Sequence, residues 1–336
     1  MDITAKEASV KDKKNARIDY VDLMKGICIT LVVIMHCNVM FPLEIINNML
    51  QNLRMPLYFF LTGLFFKEYS CFSEFIIRKT NKIIIPYVFF AFIPYIFFDF
   101  FFNSEINKTY LYYLFMLIEP YNFPLWFLRS LFISYIFFYL TYRFTKRYGD
   151  YMCGIVILLL SYISWRISYV IPRDVIGAYL IENIVTSVFV LPFLYVAFIS
   201  RKKGLLTMNF TWKKFAIIFI LGFIAWELCV QNNVSLMKAH LVSKYPLLYI
   251  SAFGGIACLW VICAKIQKLF FFSYVGRYSI IVLGTHIPIS KFISTYLGIT
   301  NYFQAIITLA LMPVMIYICI RFFPNFTAQK DLIRYR

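Results

Sequence analysis

Ten apolar runs succeed one another along the chain, near 21–41, 47–66, 83–102, 124–142, 151–170, 178–199, 214–231, 246–264, 273–290 and 301–323. Each is about 17–23 residues long. At 1.5 Å of rise per residue, that length crosses the ~30 Å hydrocarbon core of a bilayer. Composition agrees: 62% of the 336 residues are hydrophobic and 15% charged, against about 45–50% and about 25% in soluble domains. Too few polar residues remain to cover a water-facing surface, so lipid must be the solvent. The predicted fold class is all-α, a polytopic membrane helix bundle of about ten transmembrane helices. Tyr110–Ile118 is too short to span. No stretch reads as a soluble domain, so any chemistry falls to the membrane helices themselves.

Basic residues orient the bundle. With the first tail placed in the cytoplasm and sides alternating, the inside segments hold 24 Lys or Arg and the outside loops six: Lys108, Arg166, Arg173, Lys238, Lys244 and Lys291. This bias predicts both termini in the cytoplasm. Residues 1–17 are mixed-charge and lack the apolar core of a cleavable signal peptide. They are expected as a disordered cytoplasmic tail, followed by a transmembrane domain at 18–324 and a second cytoplasmic tail at 325–336. The net charge of +17 would suggest nucleic acid in a soluble protein. Spread over helix flanks, it points to the lipid bilayer and its anionic headgroups, with no nucleic-acid partner. Eight cysteines include Cys28, Cys37, Cys258 and Cys263 within apolar runs, and no CxxC or metal-ligand spacing occurs. Neither disulfides nor a metal site are expected.

Ionisable groups within membrane helices are costly, and each is a functional candidate. Asp22, Lys25 and His36 lie in the first run. Eleven residues at ~100° each make three turns plus about 20°, so Lys25 and His36 share a face about 16 Å apart along the axis. Asp22 precedes Lys25 by one turn. An imidazole in the outer half of the membrane suits a general base for acyl transfer to a hydroxyl. It equally suits a hydrogen bond to a neighbouring helix. Arg54, in the second run, is placed to hold a sugar or phosphate, to pair with an acid, or to snorkel to headgroups. Arg78 and Lys79 each lie one helical turn before Lys82. They form either a phosphate-binding cluster or a common basic flank. Trp126 falls at the expected outer interface, where tryptophan is ordinary belt material. Arg129, a turn further in, needs a partner, for which Glu182 and Glu227 are candidates. His286 lies at an outer depth similar to that of His36, where the two could share a site, and His240 falls in an outside loop. On these residues alone a second reading stays open, a glycan or lipid-linked sugar transporter whose charges line a path.

Together these segments resemble the acyltransferase-3 family of integral membrane O-acetyltransferases, in particular its stand-alone members acting on sugars and exopolysaccharides. Asp22 with Lys25-x10-His36 is similar to the family's first-helix signature. Met55-Pro56-Leu57, Phe59-Phe60-Leu61 and Gly63 resemble its second-helix segment. Lys79-x-x-Lys82 and Pro86 resemble its basic motif, with lysines where arginines are usual. Leu125-Trp126-Phe127-Leu128 and Tyr278-Ser279 to His286 match later blocks. The resemblance implies acetyl-CoA as co-substrate, entering from the cytoplasm, with no bound cofactor. It implies His36 as base, with Lys25, Arg78, Lys79 and Lys82 toward the donor. Asp22, Arg54, Trp126, Arg129 and His286 would serve the acceptor or the structure. The acceptor implied is a glycan or lipid-linked saccharide, and the setting a bacterial inner membrane.

Overall fold

Lipid offers a backbone no hydrogen bonds, so a chain that spans it must satisfy each amide internally. The computed structural model describes residues 18–101, 122–171, 176–208, 210–227, 242 and 244–335, and every regular element among them is helical. Helix α1 (Asp19–His36) leads to α2 (Glu44–Gly63) and the short α3 (Phe72–Lys79), which continues through a π-helical turn (Thr80–Ile84) into α4 (Ile85–Phe101). A 3₁₀ turn (Phe123–Leu125) opens α5 (Trp126–Thr145), followed by α6 (Asp150–Ser168), α7 (Ile176–Phe189), α8 (Leu191–Lys202) and α9 (Trp212–Glu227). Then come α10 (Tyr245–Ile266), the short α11 (Phe270–Arg277), α12 (Ser279–Leu297) and α13 (Asn301–Phe322). The expected 1–17 tail, Tyr110–Ile118, Lys108, Arg173, Lys238 and His240 lie outside the described residues.

Among the described residues, six spans are long and apolar enough to cross a membrane: Phe123–Tyr148, Asp150–Ser168, Leu180–Lys202, Tyr245–Ile266, Ser279–Leu297 and Asn301–Phe322. Helices α1, α2, α4 and α9 occupy the other four apolar runs. Burial separates centre from rim. Two thirds of the Phe123–Tyr148 and Leu180–Lys202 windows are buried, against one third for α6 and α13. The outward faces of α6, α9 and α13 accordingly show Leu159, Leu221 and Ile306 to their surroundings, which in a membrane is the favourable arrangement.

The connections alternate between two faces. On one, Lys146 reaches Glu68 (3.9 Å), Lys202 pairs with Asp150 (2.7 Å) and Tyr20 donates to the Leu206 carbonyl (2.7 Å). On the other, Tyr302 donates to the Met40 carbonyl (3.1 Å) and Trp165 to that of Val242 (2.9 Å). The segment after α13, expected as a tail, turns back on the first face. Asn81 accepts from the amides of Leu332 (2.7 Å) and Ile333 (2.9 Å), and Lys82 pairs with Asp331 (2.9 Å).

The ninth apolar run, expected as one helix over 273–290, is two pieces broken at Tyr278. The cause is close packing of α11 on α1. A Cβ at Gly276 would lie 1.9 Å from the Asp22 carbonyl oxygen, and one at Gly26 only 1.8 Å from that of Phe272. Two backbones at that distance tolerate only glycine.

Prolines loosen two other helices, and one side chain repairs both. Pro94 in α4 and Pro288 in α12 lack the N–H that would bind the carbonyls of Phe90 and Gly284, four residues earlier. Asn122, 1% exposed, donates from Nδ2 to both, at 3.2 Å and 2.8 Å. Replacing Asn122 by Ala should therefore strand two buried carbonyls and lower stability by about 2–4 kcal/mol. Asn122→Asp, which keeps the volume but loses the amide donor, should lose about as much. Unfolding in detergent measures both, and an Asp variant as stable as wild type would refute the account.

Candidate functional site

A cavity of about 580 Å³ opens among α1, α2, α3, α5 and α12. Its rim is charged, with Lys67, Glu68, Glu74, Arg78, Lys82 and Asp331; its depth is apolar, with Leu61, Phe127, Leu128 and Leu283. All four residues expected toward a donor, Lys25, Arg78, Lys79 and Lys82, line it.

Each cation is held differently. Arg78 is half exposed and pairs with Glu74 one turn back (2.8 Å). Lys82 stands at the mouth, paired with Asp331 and donating to the Ala328 carbonyl (2.9 Å). The π-helical turn that begins at Thr80 adds a residue to that winding. Lys79 is thereby buried while Lys82 stays at the exposed mouth. Lys79 is 8% exposed, with its ammonium 3.5 Å from the centre of the Tyr135 ring. That ring is fixed by its hydroxyl, which donates to the Thr62 carbonyl (2.7 Å). Lys25 lies 4.1 Å from the centre of the Phe65 ring. Aromatic faces thus support the deeper cations. Burial, followed by the charge of Lys67, pushes the Lys79 ammonium down to about 7.

His36 ends α1 and does not line this cavity. Its ring meets Phe123 edge-on (4.8 Å) and lies 5.3 Å from the ring of His286. The two imidazoles that sequence placed at similar depth are brought together. His286 is fully buried, and its Nδ1 lies 2.9 Å from the Val282 carbonyl. That contact assigns the proton to Nδ1 and leaves Nε2 as an acceptor. Nε2 has no hydrogen-bond partner among the described residues. Arg54 sits on the neighbouring helix, its carbonyl accepting from Cys28 Sγ (3.1 Å). Leu283, in the cavity wall, precedes His286 by three residues, and Tyr58, also in the wall, follows Arg54 by four. One helical turn, about 5 Å, therefore separates the floor of the cavity from the histidine pair.

The remaining expected residues stand apart. Asp22 is buried where α1 meets α11. Trp126 is 7% exposed and packs on Phe127, so it is a core residue and not interface belt. Arg129 is buried and donates to Asn183 (2.9 Å), the neighbour of Glu182 in α7; Glu227 is exposed at the end of α9. Sequence reasoning missed Tyr58, Phe123 and Asp331. Tyr58 stands inside the quoted second-helix block and Phe123 just before the fourth-helix one, while nothing local marks Asp331.

A family model described as an acyltransferase domain matches residues 18–323. The chain belongs to the acyltransferase-3 family. The match takes in every helix from α1 to α13. No curated protein and no solved structure matches the chain. The protein is thus a multi-pass membrane acyltransferase, and the cavity and histidine pair lie inside its acyltransferase domain.

Lys79 makes the cavity pH-sensitive. An anion binds the ammonium and not the amine, so affinity is full below about pH 7 and falls as pH rises past it. Titration with coenzyme A, as a phosphate-bearing probe, should show several-fold weaker binding at about pH 9 than at about pH 7. Lys79→Arg, which stays charged throughout, should flatten the curve. A wild-type affinity that is level across this range would contradict the assignment.

Proposed function

We propose that the chain is an O-acetyltransferase that takes an acetyl group from acetyl-CoA on the cytoplasmic side and passes it to a hydroxyl of a cell-envelope or exported glycan. The observation that carries the proposal is the sequence of environments along one axis. Arg78 and Lys82 stand at the rim in exposed ion pairs, apolar residues line the depth, and a pair of imidazoles follows one turn beyond. Coenzyme A has that profile, with phosphates at one end and a thin pantetheine arm at the other. The cavity volume falls within the range that holds small cofactors.

The face that bears α3 and the basic connections is the cytoplasmic one by the positive-inside rule, and residues 18 and 335 both end there. The setting is a bacterial inner membrane. His36 accepts the proton of the acceptor hydroxyl, and Arg54 and His286 hold the acceptor side. Arg78, Lys79 and Lys82 take the phosphates. A lining that stops at Tyr58 and Leu283 suits a donor pocket better than a transport path.

Purified protein given acetyl-labelled acetyl-CoA and a glycan pool should transfer label. His36→Ala should reduce transfer by at least about a hundredfold while donor binding persists. Lys79→Ala with Lys82→Ala should weaken donor binding by about tenfold or more. Folded protein that neither binds the donor nor transfers label would turn the reading toward a transporter.

A further inference from the structure

Most interior tyrosine hydroxyls around this bundle have a partner. Tyr20 donates to Leu206, Tyr135 to Thr62 and Tyr249 to Phe189. Of the two buried tyrosines that line the cavity, Tyr58 and Tyr135, Tyr58 is the exception. It is 6% exposed, and its Oη makes no hydrogen bond of ordinary geometry among the described residues, although Ser279 stands beside it. Two threonine hydroxyls, Thr30 and Thr308, are likewise unpartnered, but neither lines the cavity. A buried hydroxyl without a partner is unfavourable and calls for an explanation. The tyrosine ring is braced by Phe127 (5.3 Å between centres), so the hydroxyl is a held donor and not a mobile one. It stands beyond the rim cations and one turn short of Arg54, between the charged mouth and the histidine pair.

We propose that Tyr58 is a catalytic residue whose O–H receives the carbonyl oxygen of the donor thioester. The assignment rests on the acyltransferase reading above. A donor with its phosphates at the rim brings its thioester to the deep end of the cavity, where Tyr58 is the unanswered donor. In the reaction the acceptor oxygen adds to the carbonyl carbon, and its proton passes to His36. The carbonyl oxygen becomes an oxyanion, and the Tyr58 hydrogen bond shortens onto it. Collapse restores the C=O and breaks the C–S bond. The thiolate leaves and takes the proton from His36, so a C–O ester bond has replaced the thioester and charge balances. A fixed donor aimed at developing charge in an apolar site is the usual means of lowering such a barrier.

The test compares acetyl-CoA with its S-ethyl thioether, which lacks the carbonyl oxygen, on wild type and Tyr58→Phe. Phenylalanine keeps the ring contact and removes only the hydroxyl. Wild type should bind the thioester about fivefold more tightly than the thioether, and Tyr58→Phe should bind the two equally. Turnover should fall by about a hundredfold, and the melting temperature should hold, because the ring contact is kept and the hydroxyl makes no hydrogen bond of ordinary geometry. If Tyr58→Phe keeps the wild-type preference and turnover, Tyr58 is not the donor, although the acetyltransferase reading stands. If it melts lower and loses affinity for both ligands alike, the hydroxyl is structural and the assignment fails. If the wild type binds neither ligand, the donor-site reading falls, and this assignment falls with it.

Discussion

The Asn122 carboxamide ties the core of this bundle together. A membrane helix that contains proline exposes a carbonyl four residues back, and lipid cannot answer it. Here two such carbonyls, from α4 and α12, converge on one amide. Convergence is possible because Gly284 has no side chain. A Cβ there would sit 2.1 Å from the ring of Phe90. The next residue along, Phe123, then lies edge-on against His36. The wall of the histidine site is thus set by a backbone requirement of two other helices. That requirement explains why an asparagine is buried at this place in so apolar a chain.

Charge is graded with depth. Ion pairs at the mouth are exposed, and exposed pairs contribute little to stability. Lys82 can therefore exchange Asp331 for another anion at small cost. Deeper, a carboxylate partner would be costly to desolvate, and Lys79 rests on the ring of Tyr135 instead. That ring supports a charge without neutralising it. Lys79 keeps its attraction for an incoming anion, and the burial that holds its ammonium below the usual range is what that readiness costs.

Much of this was legible in the chain. Spacing alone placed Lys25 and His36 on one face of α1, and the structure sets Lys25 in a cavity and His36 against a second histidine. The basic cluster was visible as charge, but the opposite fates of Lys79 and Lys82 follow from a π-helical turn that no local pattern announces. The break at Tyr278 was hidden for a similar reason. Hydropathy measures length and apolarity, whereas α11 is separate because its glycine must meet another glycine helix at backbone contact. Trp126 looked interfacial because tryptophan near a helix end commonly is; packing on Phe127 decided otherwise. Tyr58 carries no signal by type or spacing, since only an account of hydrogen bonds across helices shows it unanswered.

The one-turn gap between cavity floor and histidine pair bears on how a thioester could survive in such a site. Water reaches the rim, where charges are exposed. Beyond it Phe127, Leu128 and Leu283 interpose an apolar layer before His36 and His286. On the acyltransferase reading, a base in contact with that water would direct the acyl group to hydrolysis. Setting the imidazoles behind the apolar layer means that a hydroxyl must arrive from the other side, and only an acceptor bound there brings one. Exclusion of water also strengthens the few polar groups inside, since a hydrogen bond gains where the dielectric is low. The same layer that protects the donor thus gives weight to each buried polar atom, and a bundle so apolar can afford few of them.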